Sequence, residues 1–166
     1  MSLKFRSCLA AVALSLVPSL PIAQSVTGEG LNVNIIVTAN GGAVFSAWDR
    51  GNPGFSVVPV HNARRGQFLS TVVLFRGCKP DIAGNCNAEM DITAYDPNGK
   101  EYGVMPKVEL WKAKPAPSVG ATQLSRDYMG IVIEAKDLAG TYRVVVLARD
   151  LISKREARAE TSFTVR

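Results

Sequence analysis

The chain has 166 residues, 47% of them hydrophobic and 20% charged, with 19 lysines and arginines against 14 acids and a formal charge of +5. That length suits one domain with its own core, and so mild a basic excess favours solubility without amounting to a nucleic-acid footprint. One histidine and three cysteines exclude a metal centre built from several soft ligands.

In chain order, the first feature is an address. Lys4 and Arg6 precede an apolar run of about ten residues, Cys8 to Val17, which Pro18, Ser19 and Pro21 then break before the small residues Ala23 and Ser25. This is the three-part layout of a secretory signal. The run falls short of the roughly 20 apolar residues that a membrane span requires. Residues 1–23 are expected to leave as a signal peptide and 24–166 to form the mature domain. A cut after Ser25 and retention as an N-terminal anchor are the alternatives. Cys8 opens the apolar run and follows Phe5-Arg6-Ser7, whereas acylation signals place the apolar run before the cysteine, so no lipoprotein is expected. Taking 23 residues from 166 leaves 143, and taking the two cations of the signal from +5 leaves +3.

Strands and turns follow throughout. Residues 31–38 (LNVNIIVT) alternate and then turn apolar; Asn40-Gly41-Gly42 marks a turn, and residues 43–48 are expected as a second strand. Residues 49–54 (DRGNPG) are turn chemistry. Residues 55–60 read as a short edge strand, because Pro59 argues against a central place. Residues 68–75 (FLSTVVLF) predict a central strand buried on nearly both faces. Cys78 and Cys86 enclose the turn-rich KPDIAGN, and an even, close-spaced pair in an exported chain predicts a disulfide worth roughly 2–3 kcal/mol.

In residues 88–95 (AEMDITAY), Ala88, Met90, Ile92 and Ala94 share one face. Asp96-Pro97-Asn98-Gly99 makes a tight turn. Residues 102–104 and 108–112 predict two short strands parted by Pro106. Residues 114–120 are expected as a loop, and 121–125, 130–135, 141–149 and 161–165 as the remaining strands. The best helical candidate is Ser153 to Glu160. Nine or ten short strands at such spacing point to an all-β sandwich or barrel.

One stretch sharpens the fold. Asp137-Leu138-Ala139-Gly140-Thr141-Tyr142, followed by Val144, Val146 and Ala148 in alternation, resembles the tyrosine corner of immunoglobulin-like and fibronectin-type-III-like domains. The likeness covers residues 130–165, with Asp137, Gly140 and Tyr142 as its signature. It implies a single immunoglobulin-like antiparallel β-sandwich in which the tyrosine hydroxyl bonds back to upstream backbone. Antibody domains carry a cysteine two residues after that tyrosine; here Val144 stands there, so the chain resembles the bacterial envelope immunoglobulin-like class. The resemblance implies no activity.

Catalytic patterns are absent. His61 lies in a polar turn, and no G-x-S-x-G, H-E-x-x-H or P-loop occurs. Asp91 with Glu89, or Asp137 with Glu134, could form a paired-carboxylate site, but each reads better as a solvated strand face or a turn former. No enzyme, cofactor or metal is expected. The expected role is an interaction module, periplasmic or extracellular, binding a protein or envelope component. It would bind no nucleic acid and have no membrane span in its mature form. A subunit of a surface or secretion assembly, and a small envelope hydrolase or carbohydrate binder, are the alternatives. Trp111, Trp48, Arg64 and Arg65 are the candidate interface residues, with a packing role under the 114–120 loop as the rival reading for Trp111.

Overall fold

The computed structural model describes residues 30–51 and 56–166. The expected signal segment, residues 52–54 of the expected turn and Phe55 of the expected 55–60 strand lie outside the described residues. Among these, nine strands and one helix follow in the order β1 (Asn32–Thr38), α1 (Gly41–Asp49), β2 (Asn62–Ala63), β3 (Phe68–Arg76), β4 (Asn85–Tyr95), β5 (Glu101–Pro115), β6 (Gln123–Leu124), β7 (Gly130–Val132), β8 (Gly140–Asp150) and β9 (Glu156–Val165). They build two sheets. In the first, β3 lies between β1 and the pair β6 and β7; the second runs β2-β9-β8-β4-β5. The molecule is an all-β sandwich.

Alternation explains the core. Ala88, Met90, Ile92 and Ala94 on β4 share the inner face expected of them, and Tyr142, Val144, Val146 and Ala148 do the same on β8. They meet Val33, Ile35, Leu69, Val73, Phe75 and Ile131 from the opposite sheet. Each large aliphatic taken from water there contributes about 1.5–3 kcal/mol. Tyr142 buries its ring against Phe163, and its hydroxyl donates to Leu138 O at 2.9 Å.

Several expectations need correction. Residues 43–48 are not a strand but belong to α1. Val44 and Ala47 are buried and Trp48 half-buried on one side of that helix, a spacing that suits a single helical face. The helix covers the outer face of β3, where Val44 meets Val72 and Leu124. That cover is why β3 is apolar on both faces. The two short strands around Pro106 are one strand, because β5 is the last strand of its sheet and a missing N–H costs no ladder bond there. Residues 106 and 107 bulge between the pairs Met90–Val108 and Ile92–Met105, with Lys107 at φ 52°.

Ser153 to Glu160 is no helix. Residues 151–153 turn and β9 begins at Glu156, since Ala157 takes the inner position opposite Ala148. Cross-strand packing overrides the helical preference of alanine and glutamate. Residues 56–60 join no ladder, although Val60 N donates to Val37 O at 2.8 Å. The sandwich is also not antiparallel throughout. The crossing segment reaches β9 running in the same direction, so β2 pairs with it in parallel.

Candidate functional site

One lateral side of the sandwich is open. There β5, the terminal strand of its sheet, faces residues 123–132, which carry β6 and β7 along β3. No backbone ladder joins these two edges; side chains do. Ser125 Oγ donates to Glu109 O at 3.1 Å and Glu109 N to Asp127 Oδ2 at 2.8 Å, while Tyr102 Oη lies 2.8 Å from Val132 O. Between these struts lies a cleft of about 530 Å³.

Its depth is apolar. Met129 and Ile131 are buried and Met105 half-buried, while Val104 and Val132 are exposed along the two rims. Met129 is placed by Thr71, whose hydroxyl accepts its N–H at 2.8 Å and whose own N–H donates to its carbonyl at 3.0 Å. Gly103 lines the space, and a Cβ there would make an ordinary contact 3.8 Å from Met129 Sδ.

One end of the cleft is polar. Asp137 Oδ2 accepts the Tyr102 hydroxyl at 2.6 Å and the Glu134 N–H at 2.8 Å. The Tyr102 hydroxyl and the Glu134 amide hold the Asp137 carboxyl below its usual range. Burial, reinforced by Asp137, pushes the Tyr102 phenol well above its own. Lys136 is raised by its bond to Glu134. The Asp137 and Lys136 shifts favour the charged forms, and the Tyr102 shift favours the neutral phenol. Arg65 Nη1 anchors this corner by donating to Glu134 O at 2.8 Å and Asp137 O at 2.6 Å.

The candidates from sequence are dispersed. Cys78 and Cys86 are joined, their Cα atoms 6.0 Å apart, at the end of the sandwich away from the polar corner. Asp137 stands in the cleft; Gly140 opens β8 and Tyr142 lies beneath, its ring edge-on to Tyr102 at 5.3 Å. Trp111 is half-buried against Phe75 at 5.5 Å, its Nε1 donates to Pro115 O at 3.0 Å, and the Lys114 ammonium sits 5.2 Å from its ring centroid. A register shift at Leu110 explains this: consecutive residues 110 and 111 both pack on the core. Trp48 lies in the outer layer on α1. Arg64 is exposed beside Arg65 in the turn before β3, and His61 is exposed.

Of the proposed acid pairs, Asp91 and Glu89 flank Arg149 at 2.7 and 3.9 Å. The Arg149 guanidinium holds the Asp91 carboxyl below its usual range. Met105, Met129, Val104 and Val132 were not anticipated as one site. Gly103, a glycine inside a strand pattern, is the one sequence signal at this site. Among the described residues no group of three or more histidines, cysteines, aspartates or glutamates is placed to hold a metal, and no helix is long and apolar enough to cross a membrane.

No protein-family model matches this chain, and no curated protein matches it in sequence. Among solved structures, a Niemann-Pick type C2 protein from the Japanese carpenter ant is 10% identical with a TM-score of 0.46, over 87% of this chain and 99% of that one. The alkylpurine DNA glycosylase AlkC of Pseudomonas fluorescens, bound to DNA with an abasic-site analogue, is 12% identical with a TM-score of 0.45, over 84% of this chain and 31% of that one. A CARDB domain from Pyrococcus furiosus, in complex with di-metal ions, is 10% identical with a TM-score of 0.41, over 90% and 100%.

Proposed function

We propose that this chain is an exported, immunoglobulin-like, non-enzymatic binding module that takes an extended polypeptide segment along the edge of β5, in the periplasm or outside the cell. The observation that carries the reading is the outer edge of β5, which pairs with no second strand among the described residues, beside an apolar cleft. Away from Glu109, whose N–H and carbonyl already meet Asp127 and Ser125, the backbone groups of such an edge give affinity for an added strand, and a neighbouring pocket for alternate side chains gives specificity. The cleft suits one apolar side chain between Met105 and Met129, with Tyr102, Asp137 and Lys136 meeting polar neighbours at its end. The disulfide and the Lys4-to-Ser25 pattern support an oxidising destination. The tyrosine corner supports the immunoglobulin-like assignment.

A photo-crosslinker at Val104 tests the reading in the native host. It is expected to capture a discrete partner polypeptide. Gly103→Leu, which fills the cleft without removing a ladder bond, is expected to lower that capture about tenfold, as loss of a central anchor does. Undiminished capture with Gly103→Leu, or equal capture from a crosslinker at Arg64, would overturn it.

A further inference from the structure

The end of the sandwich that holds the disulfide carries two unusual loop tips. In residues 81–84 the Gly84 N–H donates to Asp81 O at 3.0 Å, and in 118–121 the Ala121 N–H donates to Ser118 O at 2.9 Å. Each is a β-turn, and each places a branched aliphatic residue, Ile82 or Val119, at its first central position. Proline and small polar residues ordinarily serve there. Ile82 and Val119 are both fully exposed, so each stands clear of its neighbours.

The tips are built and held side by side. Asp81 Oδ1 accepts the N–H groups of Ala83 and Asn85, both at 2.9 Å, and the disulfide closes the base of that loop. The Ala116 N–H donates to Gly84 O at 3.0 Å, which ties the second loop to the first. Neither side chain is free to fold back onto the core.

The surroundings are cationic. Arg76, Lys79, Lys154 and Arg155 are exposed at this end, and among the described residues none of them is ion-paired with an acid. Lys114 is shared with Glu109, and Glu156 is held by Arg149 at 3.0 Å. Asp150 is buried, and Asp81 is the exposed acid of these loops. Convex single aliphatics ringed by lysine make a poor protein interface, which depletes lysine and needs a packed apolar centre. An anionic lipid surface suits both features: it is soft enough to enclose a lone tip, and its headgroups attract each nearby cation.

We propose that this end of the sandwich docks on an anionic lipid surface. Ile82 and Val119 enter the headgroup–acyl boundary, and Arg76, Lys79, Lys154 and Arg155 lie over the phosphates. This surface is separate from the β5 cleft, so either proposal stands if the other falls.

The test is co-sedimentation of the oxidised protein, in the form its host accumulates, with vesicles of phosphatidylglycerol and phosphatidylcholine or of phosphatidylcholine alone. The protein is expected to bind the anionic vesicles and not the neutral ones. Ile82→Ser and Val119→Ser are each expected to lower partitioning about tenfold. Lys79→Glu is expected to lower it about tenfold as well, whereas Lys100→Glu, an equal charge change in the turn at the opposite end, leaves it unchanged. Each variant alters an exposed turn, and an unchanged unfolding midpoint with an intact disulfide verifies its fold. Absence of vesicle binding would overturn the proposal. So would undiminished binding by the double tip variant, or equal losses from Lys79→Glu and Lys100→Glu.

Discussion

Asp150 is 1% exposed and the only buried charged residue among the described ones. It accepts from Lys79 N at 2.8 Å, Ile152 N at 2.9 Å, Ser153 N at 3.3 Å and Ser153 Oγ at 2.7 Å. Burial alone would raise its pKa, but these donors outweigh that and leave the carboxyl below its ordinary range. A depressed acid stabilises the fold above its unfolded pKa, and that contribution disappears as the pH falls through the folded value. Asp150→Ala is therefore expected to cost about 3 kcal/mol at neutral pH, since it strands several donors at once. Asp150→Asn should flatten the loss of stability that the parent shows below about pH 4. Urea unfolding across a pH series measures both. The role of Asp150 was not legible in the sequence, because Lys79, which joins the local donors Ile152 and Ser153, lies on another loop.

At the scale of elements, legibility followed local pattern. β4 and β8 were readable because alternate residues face one core without interruption. β3 was readable as buried on both faces, but what covers its outer side was not, since six apolar and small residues fit one turn and a half of helix as well as a strand. Residues 161–165 of β9 were readable as a strand, but 156–160 were not, because charged and alanine-rich residues favour helices until a neighbouring strand claims them. β5 was cut at Pro106, for the sequence does not say that the strand is terminal. The cleft was hidden for a related reason: its two rims are some 25 residues apart and meet only through tertiary packing.

Gly77, just after β3, shows what such packing demands. Its φ is +68°, and a Cβ there would lie 2.1 Å from the carbonyl oxygen of Gly30. Backbone cannot swing aside as a side-chain tip can, so Gly77→Ala is expected to cost about 2–3 kcal/mol, read as a lowered unfolding midpoint.

For the whole molecule, the disulfide fixes a junction between sheets, because residues 77–84 carry the chain from β3 in one to β4 in the other. Cys78 and Cys86 are separated by eight positions, and a closure of that size stabilises by about 2.5 kcal/mol through the unfolded chain. Cys78→Ser with Cys86→Ser should lower the unfolding free energy by about that amount, measured in urea without reductant. The same pair sets the base of the Ile82 loop, so the serine variant should also loosen the loop tips relative to each other, seen as faster amide exchange at Gly84 and Ala116.

The order of strands in the larger sheet has a temporal consequence. Its interior strands β9 and β8 come last in the chain, while β4, which they support, is made some fifty residues earlier. A growing chain that ends before residue 140 leaves Met90 and Ile92 without the strand beside them, so the sandwich cannot close before β8 and β9 are available. Completion waits for residues 140–165, and mostly long-range pairing then makes the search slow, in milliseconds to seconds rather than microseconds. Until then the polypeptide remains open to whatever threads, guards or degrades unfolded chains.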